Sequence, residues 1–438
     1  MKKLFSLLLA ALFLCSACSQ AFAEGFDTAA FAEKFSRQSL KLEPVTLPGA
    51  PEKVTWLSGS PSGRYFVGLT DTALIVYDRQ SQAFSPINID WSSDKNGKLA
   101  TLFGKPDWLL RFNFVWSPDE KYFTASSLEL TVSNNLYVCD LMLCDTETMT
   151  LRIVQSWGLK AKDENSGSIY NTCFSPDGKT LYFGFFGKAY TEQFGGKCLT
   201  LAYDIAADTV SFVTLNQYTD DQGIKKDAVF HFMACLENGS LVQLLFNKSK
   251  PMDLYLRHLT PSAQGWDEAL LLLPYQRPMA TPYLLCTAAG TRVLVRFDLS
   301  IAYTGPINKA QNSVDAMLSA SAQRSPLEPL IMEAVLDANK NLVPGANFTG
   351  ARNACLSPDG RYILLLTGEY NQWGLAVCDT RTNKLSFVDV SVLQENTDFA
   401  CVVGKNALAS KFDAGMMWCG DLLLIGTSDG AQLFRFAD

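Results

Sequence analysis

The chain has 438 residues, 48% of them hydrophobic and 18% charged, with 37 Lys and Arg against 44 Asp and Glu and only 2 His. That balance supplies a sizeable core and excludes a disordered acidic or Lys-rich tail. A formal charge of −7 without any basic run excludes a phosphate-backbone binder, and two histidines leave almost no material for imidazole metal sites or proton shuttles.

From the N-terminus, Met1-Lys2-Lys3 and the apolar run Leu4 to Leu14 make a charged n-region and an h-region, too short to span a bilayer as a mature helix. Residues 1–23 are therefore expected to be an export signal. Two processing sites compete. Ala21-Phe22-Ala23 before Glu24 is a small-x-small cleavage site, and Ser16-Ala17-Cys18 resembles the end of a bacterial lipobox whose Cys18 would carry the lipid. Lipoboxes normally have Leu where Cys15 stands, so ordinary cleavage is favoured. Losing Lys2 and Lys3 with the signal takes the charge from −7 to −9. No later stretch approaches ~18 consecutive apolar residues. The body is expected outside the cytoplasm, secreted or periplasmic, or else lipid-anchored at the cell surface, with membrane contact only through that anchor.

Residues 24–39 read as a lead segment, and Leu40 to Leu47 in LKLEPVTL as an orphan strand. A repeat follows. SPSGRY begins at Ser60, SPDEKY at Ser117, SPDGKT at Ser175 and SPDGRY at Ser357, with spacings of 57, 58 and 182 residues. The last spacing holds three periods, so two degenerate copies are expected between. ENGSLVQLLF with Asn238-Gly239 and AAGTRVLVRF with Ala289-Gly290 supply them, and WCGDLLLIGT with Cys419-Gly420 is a final copy. Each unit reads as a strand, a tight turn, a second strand, then a strand ending in Asp and a polar turn. Asp78, Asp145, Asp204 and Asp379 end those third strands and suit Asx turns, in which a carboxylate bonds N–H groups two residues on.

Short aromatic strands between turn signals predict four-stranded antiparallel sheets. Seven arranged radially predict an all-β fold, a seven-bladed β-propeller over residues 40–438 with a loop or helical insertion at 300–325. The 18 residues after Gly420 suffice for two strands of a last blade, so Leu40 to Leu47 is expected to pair with that blade and cover its edge.

At these turns the chain resembles the TolB-type, WD-repeat-like propeller repeats, whose hallmark is a Ser-Pro-Asp-Gly-Lys/Arg turn between the first two strands of a blade. The resemblance covers Val54 to the end and is carried by Ser175 to Lys179 and Ser357 to Arg361, and in part by Ser60 and Ser117. It implies an exported interaction module and transfers no catalytic residue. Related propellers precede the hydrolase of prolyl oligopeptidases, for which these residues leave no room.

Ten cysteines follow the signal. Cys173, Cys235, Cys286 and Cys355 sit just before turns, at nearly the same place in their repeats. Such positions lie beyond the ~7 Å Cα limit for a disulfide, so small buried apolar residues are expected. Cys139 and Cys144 share one expected strand, roughly 16 Å apart, and cannot pair there.

Function is expected on the face that receives the long linkers and second-to-third loops, opposite the short Ser-Pro turns. Tyr190, Phe194, Tyr370 and Trp373 fall in GKAYTEQFGGK and GEYNQWG, where they would stack on a sugar, anchor a protein interface or pack as loop aromatics. Asp163, Glu164, Asp220 and Asp221 would make an acidic mouth or a solvated surface, without EF-hand spacing. Asn308 to Ala322 has helix-compatible composition, with Val314, Met317 and Leu318 on one face. Gly426-Thr427-Ser428-Asp429-Gly430 matches a nucleophile elbow but lacks the following helix and any downstream histidine, and reads as a blade turn. His231 and His258 read as packed or turn residues. No phosphate loop or dinucleotide fingerprint is present.

The expectation is a monomeric, non-catalytic binding module for a protein or an envelope or glycan ligand, without metal or cofactor. Its rival is a propeller enzyme, a lactonase, lyase or glycan hydrolase using paired carboxylates.

Overall fold

A computed structural model describes residues 26–36, 39–71, 73–90, 112–127, 130–131, 137–158, 166–219, 222–247, 254–273, 282–286, 293–297, 351–369, 372–379, 384–389, 416–427 and 430–437, with the isolated positions 92, 164 and 392. They are mostly strand, grouped in antiparallel meanders that follow the chain. The first sheet is Thr55–Gly59, Tyr65–Leu69, Leu74–Asp78 and Ala83–Pro86. The second is Phe112–Trp116, Tyr122–Ser127, Tyr137–Asp145 and Thr150–Gly158. Gly167–Phe174, Thr180–Gly187, Cys198–Asp204 and Thr209–Leu215 make the third. Lys225–Cys235, Leu241–Asn247, Leu254–Ser262 and Gly265–Leu273 make the fourth. Pro282–Cys286 pairs with Val293–Phe297 as a hairpin. A further sheet comprises Ala351–Leu356, Tyr362–Glu369, Gln372–Asp379 and Lys384–Asp389. The last meander is Met416–Cys419, Leu422–Thr427 and Gly430–Phe436.

The strand Ser39–Pro44 joins this last meander from the other end of the chain. Leu42, Glu43 and Pro44 run antiparallel to Phe436, Arg435 and Phe434, while Ser39 to Lys41 run parallel to Phe387 to Asp389 of the preceding sheet.

The sheets pack face to face, which is why their middle strands are apolar runs rather than alternating ones. Leu74 to Tyr77 are all buried, as are Cys198 to Tyr203. Val67, Val76, Phe123 and Met142 fill the seam between the first and second sheets. Leu141, Trp157, Phe183 and Leu199 fill the next, and Ala202, Val213, Met233 and Leu245 the one after. Trp56, Phe66, Cys419 and Leu424 join the last meander to the first sheet, and Tyr362, Val377, Trp418 and Phe434 join it to the 351–389 sheet.

The Ser-Pro turns share one bonding pattern. The Ser175 hydroxyl accepts the Thr180 N–H at 2.9 Å and donates to Asp177 Oδ1 at 2.7 Å, which accepts the Lys179 N–H at 3.2 Å. Ser117 and Asp119 repeat it, as do Ser357 and Asp359. At Ser60, Ser62 replaces the aspartate and accepts the Arg64 N–H. Asp78, Asp145 and Asp204 form Asx turns, accepting the N–H groups of Gln80, Glu147 and Ala206 at 2.8–2.9 Å. Asp379 is buried and accepts from Arg361 at 2.8 Å.

Three features differ from the sequence expectation. Within the lead segment, Thr28–Phe35 is a helix, capped by Asp27, whose Oδ1 accepts the N–H groups of Ala29 and Ala30. Its Phe31 lies 4.6 Å from Tyr362, 5.3 Å from Trp418 and 5.1 Å from Phe436, ring to ring. The helix thus wedges the seam between the last two sheets, and Thr28 donates to Asp359 of a Ser-Pro turn. Secondly, the cysteines before turns occupy two registers. Cys235 and Cys419 are in the last strand pair before the turn, opposite Leu241 and Leu422, whereas Cys173 and Cys355 lie one pair earlier, opposite Tyr182 and Leu364. The two registers do not separate by seam, since Cys173 and Cys235 both pack into the one between the third and fourth sheets. Burial pushes the Cys235 and Cys355 thiols up to about 12, which keeps them protonated and unreactive. Thirdly, Trp373 stands on a strand, opposite Gly368, rather than in a loop.

Candidate functional site

The described loop with the most aromatic content joins Thr180–Gly187 to Cys198–Asp204. It is held at its base, where the Gly187 N–H bonds Lys197 O and the Lys188 and Ala189 N–H groups bond Ser166 O at 2.8 and 3.1 Å. A Cβ on Gly187 would meet Ser166 O at 2.2 Å, so only glycine lets the loop close this tightly. Thr191–Phe194 then forms a single helical turn, which ends at Gly195 in the left-handed region with φ +78°.

This turn presents a ladder of rings. Trp157, at 2% exposure, is the innermost. Tyr190 packs 6.4 Å from it and 5.0 Å from Phe185, edge-on to both. Phe194 stacks on Tyr190 at 5.8 Å, and Phe212 stacks on Phe194 at 5.3 Å. Phe212 is 41% exposed and ends the ladder in solvent. Burial pushes the Tyr190 hydroxyl up to about 12, against the opposing pull of a hydrogen bond with Trp157, so it stays protonated at neutral pH. Tyr190 and Phe194 are therefore brought together as loop aromatics that are half-buried, with Phe212 supplying the accessible face. Phe212 was not among the sequence candidates. Its only signal is an aromatic ring on the polar, outermost strand of a sheet.

Behind the ladder, between the third and fourth sheets, lies a buried polar cluster. Arg257 is fully buried on Leu254–Ser262. It donates through Nε to Gln243 Oε1 at 2.8 Å, through Nη1 to Leu215 O at 2.8 Å and through Nη2 to both Gln243 and Asn216. Gln243 donates to Thr200 Oγ1 at 2.8 Å, which donates to Asn216 Oδ1 at 2.8 Å. Among the described residues no carboxylate bonds this guanidinium. Burial pushes it down to about 10, with Glu268 acting the other way from farther off. The cluster fixes Leu215 and Asn216, at the end of the strand that carries Phe212.

The other candidates are not gathered here. Glu164 is exposed. Asp163, Asp220, Asp221, Tyr370, Cys18 and the insertion at 300–325 lie outside the described residues, as does the side chain of Trp373. Among the described residues no group of three His, Cys, Asp or Glu side chains is placed to hold a metal ion. His258 is buried, its pKa pushed down by that burial, and His231 is the extra residue of a bulge opposite Leu244 and Leu245. Leu422–Thr427 and Gly430–Phe436 form a hairpin, so the elbow-like sequence at Gly426 is not followed by a helix.

No family model matches the chain, and no curated protein matches it. Among solved structures, the propeller domain of the Trilobed protease from Pyrococcus furiosus is similar at 10% identity, over 88% of this chain and 94% of that one, with a TM-score of 0.40. TolB from Acinetobacter baumannii is similar at 12% identity, over 88% and 78%, with a TM-score of 0.33. The periplasmic gluconolactonase of Pseudomonas aeruginosa is similar at 12% identity, over 77% and 82%, with a TM-score of 0.37.

Proposed function

We propose that the chain is an exported seven-bladed β-propeller that works as a non-catalytic binding module for a protein or cell-envelope ligand. The observation that carries the reading is the ladder from Trp157 to Phe212, which brings a rigid aromatic face out of the core beside the 187–197 loop. Rings held in this way bind apolar side chains or sugar faces at low entropic cost.

Several relationships support the ring. Consecutive sheets stack face to face, and their first strands neighbour one another in chain order. Trp116 of the second sheet donates to Ser58 of the first at 3.0 Å. The 282–297 hairpin supplies the inner half of a fifth blade, and Ser39–Pro44 the outer strand of the last. The Ser-Pro side is committed to holding blades together: the Gly420 N–H bonds Pro61 O at 3.0 Å, and Ser62 bonds Glu120 across the next seam. The loop side is left for a ligand. Export rests on the n-region and h-region of residues 1–23. No helix among the described residues is long and apolar enough to cross a membrane.

The test is retention of the wild-type chain and two variants on immobilised cell-wall fragments and on a panel of envelope proteins. Phe212→Ala is expected to weaken retention about tenfold without moving Tm, because Phe212 is the exposed ring, whereas Phe194→Ala is expected to lower both. Retention unchanged in Phe212→Ala would remove the ladder from the binding surface.

A further inference from the structure

The outer edges of the sheets are treated unequally. The Thr150–Gly158 edge is covered by Asn88–Asp90, which runs parallel to Thr150 to Arg152. The Lys384–Asp389 edge is covered by Ser39 to Lys41, parallel to Phe387 to Asp389. In both cases three residues of another stretch of the chain complete the sheet. Among the described residues no strand pairs with the outer edge of Thr209–Leu215.

An open edge offers unpaired N–H and C=O groups to any extended segment, and proteins blunt such edges with charges, prolines or short length. Ala83–Pro86 has four residues and ends in proline. Gly265–Leu273 carries Asp267 and Glu268, both exposed. Thr209–Leu215, with the sequence TVSFVTL, has neither charge nor proline, and its Thr209, Ser211 and Phe212 are exposed. Phe212 pairs with Leu201 and Thr214 with Thr200, so Val213 is bulged out of register. The regular edge is therefore Thr209 to Phe212, about the length that three-residue segments cover elsewhere in the molecule.

We infer that the ligand of this face is an extended, uncharged polypeptide segment that adds in parallel to Thr209–Phe212 as a fifth strand and seats an apolar side chain on Phe212 and Phe194. The inference rests on the binding-module reading and narrows its ligand to peptide. Backbone bonds to the edge supply affinity, and the ring ladder selects one apolar side chain.

The probe is a library of randomised linear heptapeptides displayed on phage, selected on the full chain, with each enriched peptide then measured on Phe212→Ala as well. Peptides free of charge, with a central apolar residue, are expected to be enriched. Resynthesised with N-methyl groups on alternate residues, one of the two alternations is expected to weaken binding at least tenfold and the other to leave it nearly intact, because only one set of N–H groups faces the edge. If both methylated forms bind as the parent does while Phe212→Ala still abolishes binding, strand addition is overturned and the aromatic binding face stands. Peptides that bind wild type and Phe212→Ala equally would overturn both readings. Failure to enrich any peptide overturns the peptide inference and leaves the glycan or folded-protein form of the binding module.

Discussion

The carboxylate of Glu120 accepts the backbone N–H of Ser62 at 2.7 Å and its hydroxyl at 2.9 Å, clasping the turn of the second sheet to that of the first. Glu120 stands where the other Ser-Pro-Asp turns have Gly178 and Gly360, and like them it has positive φ, +59°. A side chain in that conformation costs about 1–2 kcal/mol, so the clasp is bought against local strain.

Replacement separates the two effects. Glu120→Ala keeps the strained backbone and deletes both bonds, and is expected to destabilise by about 2 kcal/mol. Glu120→Gly also deletes the bonds but removes the strain, and is expected to lose about 1 kcal/mol less. Urea unfolding of the three proteins measures the difference. Equal losses would show that the turn imposes no conformational cost.

The N-terminal helix should stabilise the seam out of proportion to its eight residues. Phe31 is 5% exposed and touches rings of both flanking sheets. Phe31→Ala is expected to cost about 3–5 kcal/mol, as for other large-to-small changes in a core. Hydrogen exchange at Leu42, Glu43 and Phe434 to Phe436 should quicken with it, since the helix leads directly into the strand that pairs there. Unchanged exchange at those amides would mean that Ser39–Pro44 holds its place without the helix.

What was legible in the sequence follows from periodicity. Ser175 and Asp177 announce a turn because the turn is closed by their own side chains, and Leu40 to Leu47 announces a strand by apolar spacing; Ser39–Pro44 is the strand found. The helix Thr28–Phe35 was not legible, because eight residues give too short a period to stand out as a helix of their own. Phe212 was hidden because its exposure depends on which strand of the sheet is outermost. Arg257 was hidden for a different reason. An arginine in LYLRHLT looks like a strand-end cation, and only the fold sets Gln243 opposite it on the next strand and brings the oxygens of Leu215 and Asn216 from the neighbouring sheet.

Acid should weaken the turns. Burial raises the pKa of Asp78, but its bond with Arg64 and the N–H of Gln80 outweigh that and leave it below the usual carboxylate value. Asp177 is likewise held low, by the Ser175 hydroxyl and the Lys179 N–H against the opposing effect of burial. A depressed folded pKa means that the unfolded chain takes up the proton first, so this stability is present above pH about 4 and is lost as pH falls through the folded values. Asp78→Asn and Asp177→Asn should flatten the acid limb of a plot of stability against pH, and an unaltered limb in both would assign it to other carboxylates.

Arg257 and Gln243 make the most exacting case. Two guanidinium N–H groups converge on Gln243 Oε1, in the fork that arginine normally offers to a carboxylate. The carboxamide satisfies the hydrogen bonds but not the charge, which is why burial depresses the arginine. Gln243→Glu would add the missing charge while giving up the bond to Thr200 Oγ1. Bonds between two ionised partners exceed those in which only the guanidinium is charged, so a net gain of about 1 kcal/mol is expected at pH 7. The gain should be present above pH about 4 and be lost as pH falls through the lower pKa of the paired glutamate, which once protonated is nearly a glutamine again. Arg257→Met should instead cost about 3 kcal/mol or more, because it leaves the buried Gln243 Oε1 without its donors and takes one donor each from Leu215 O and Asn216 Oδ1. Thermal melts of the two variants at pH 7 and pH 3.5 distinguish these cases. A Gln243→Glu protein that melts below wild type at pH 7 would show that dehydrating the second charge outweighs pairing it, so that a neutral partner is the more stable answer to this buried arginine.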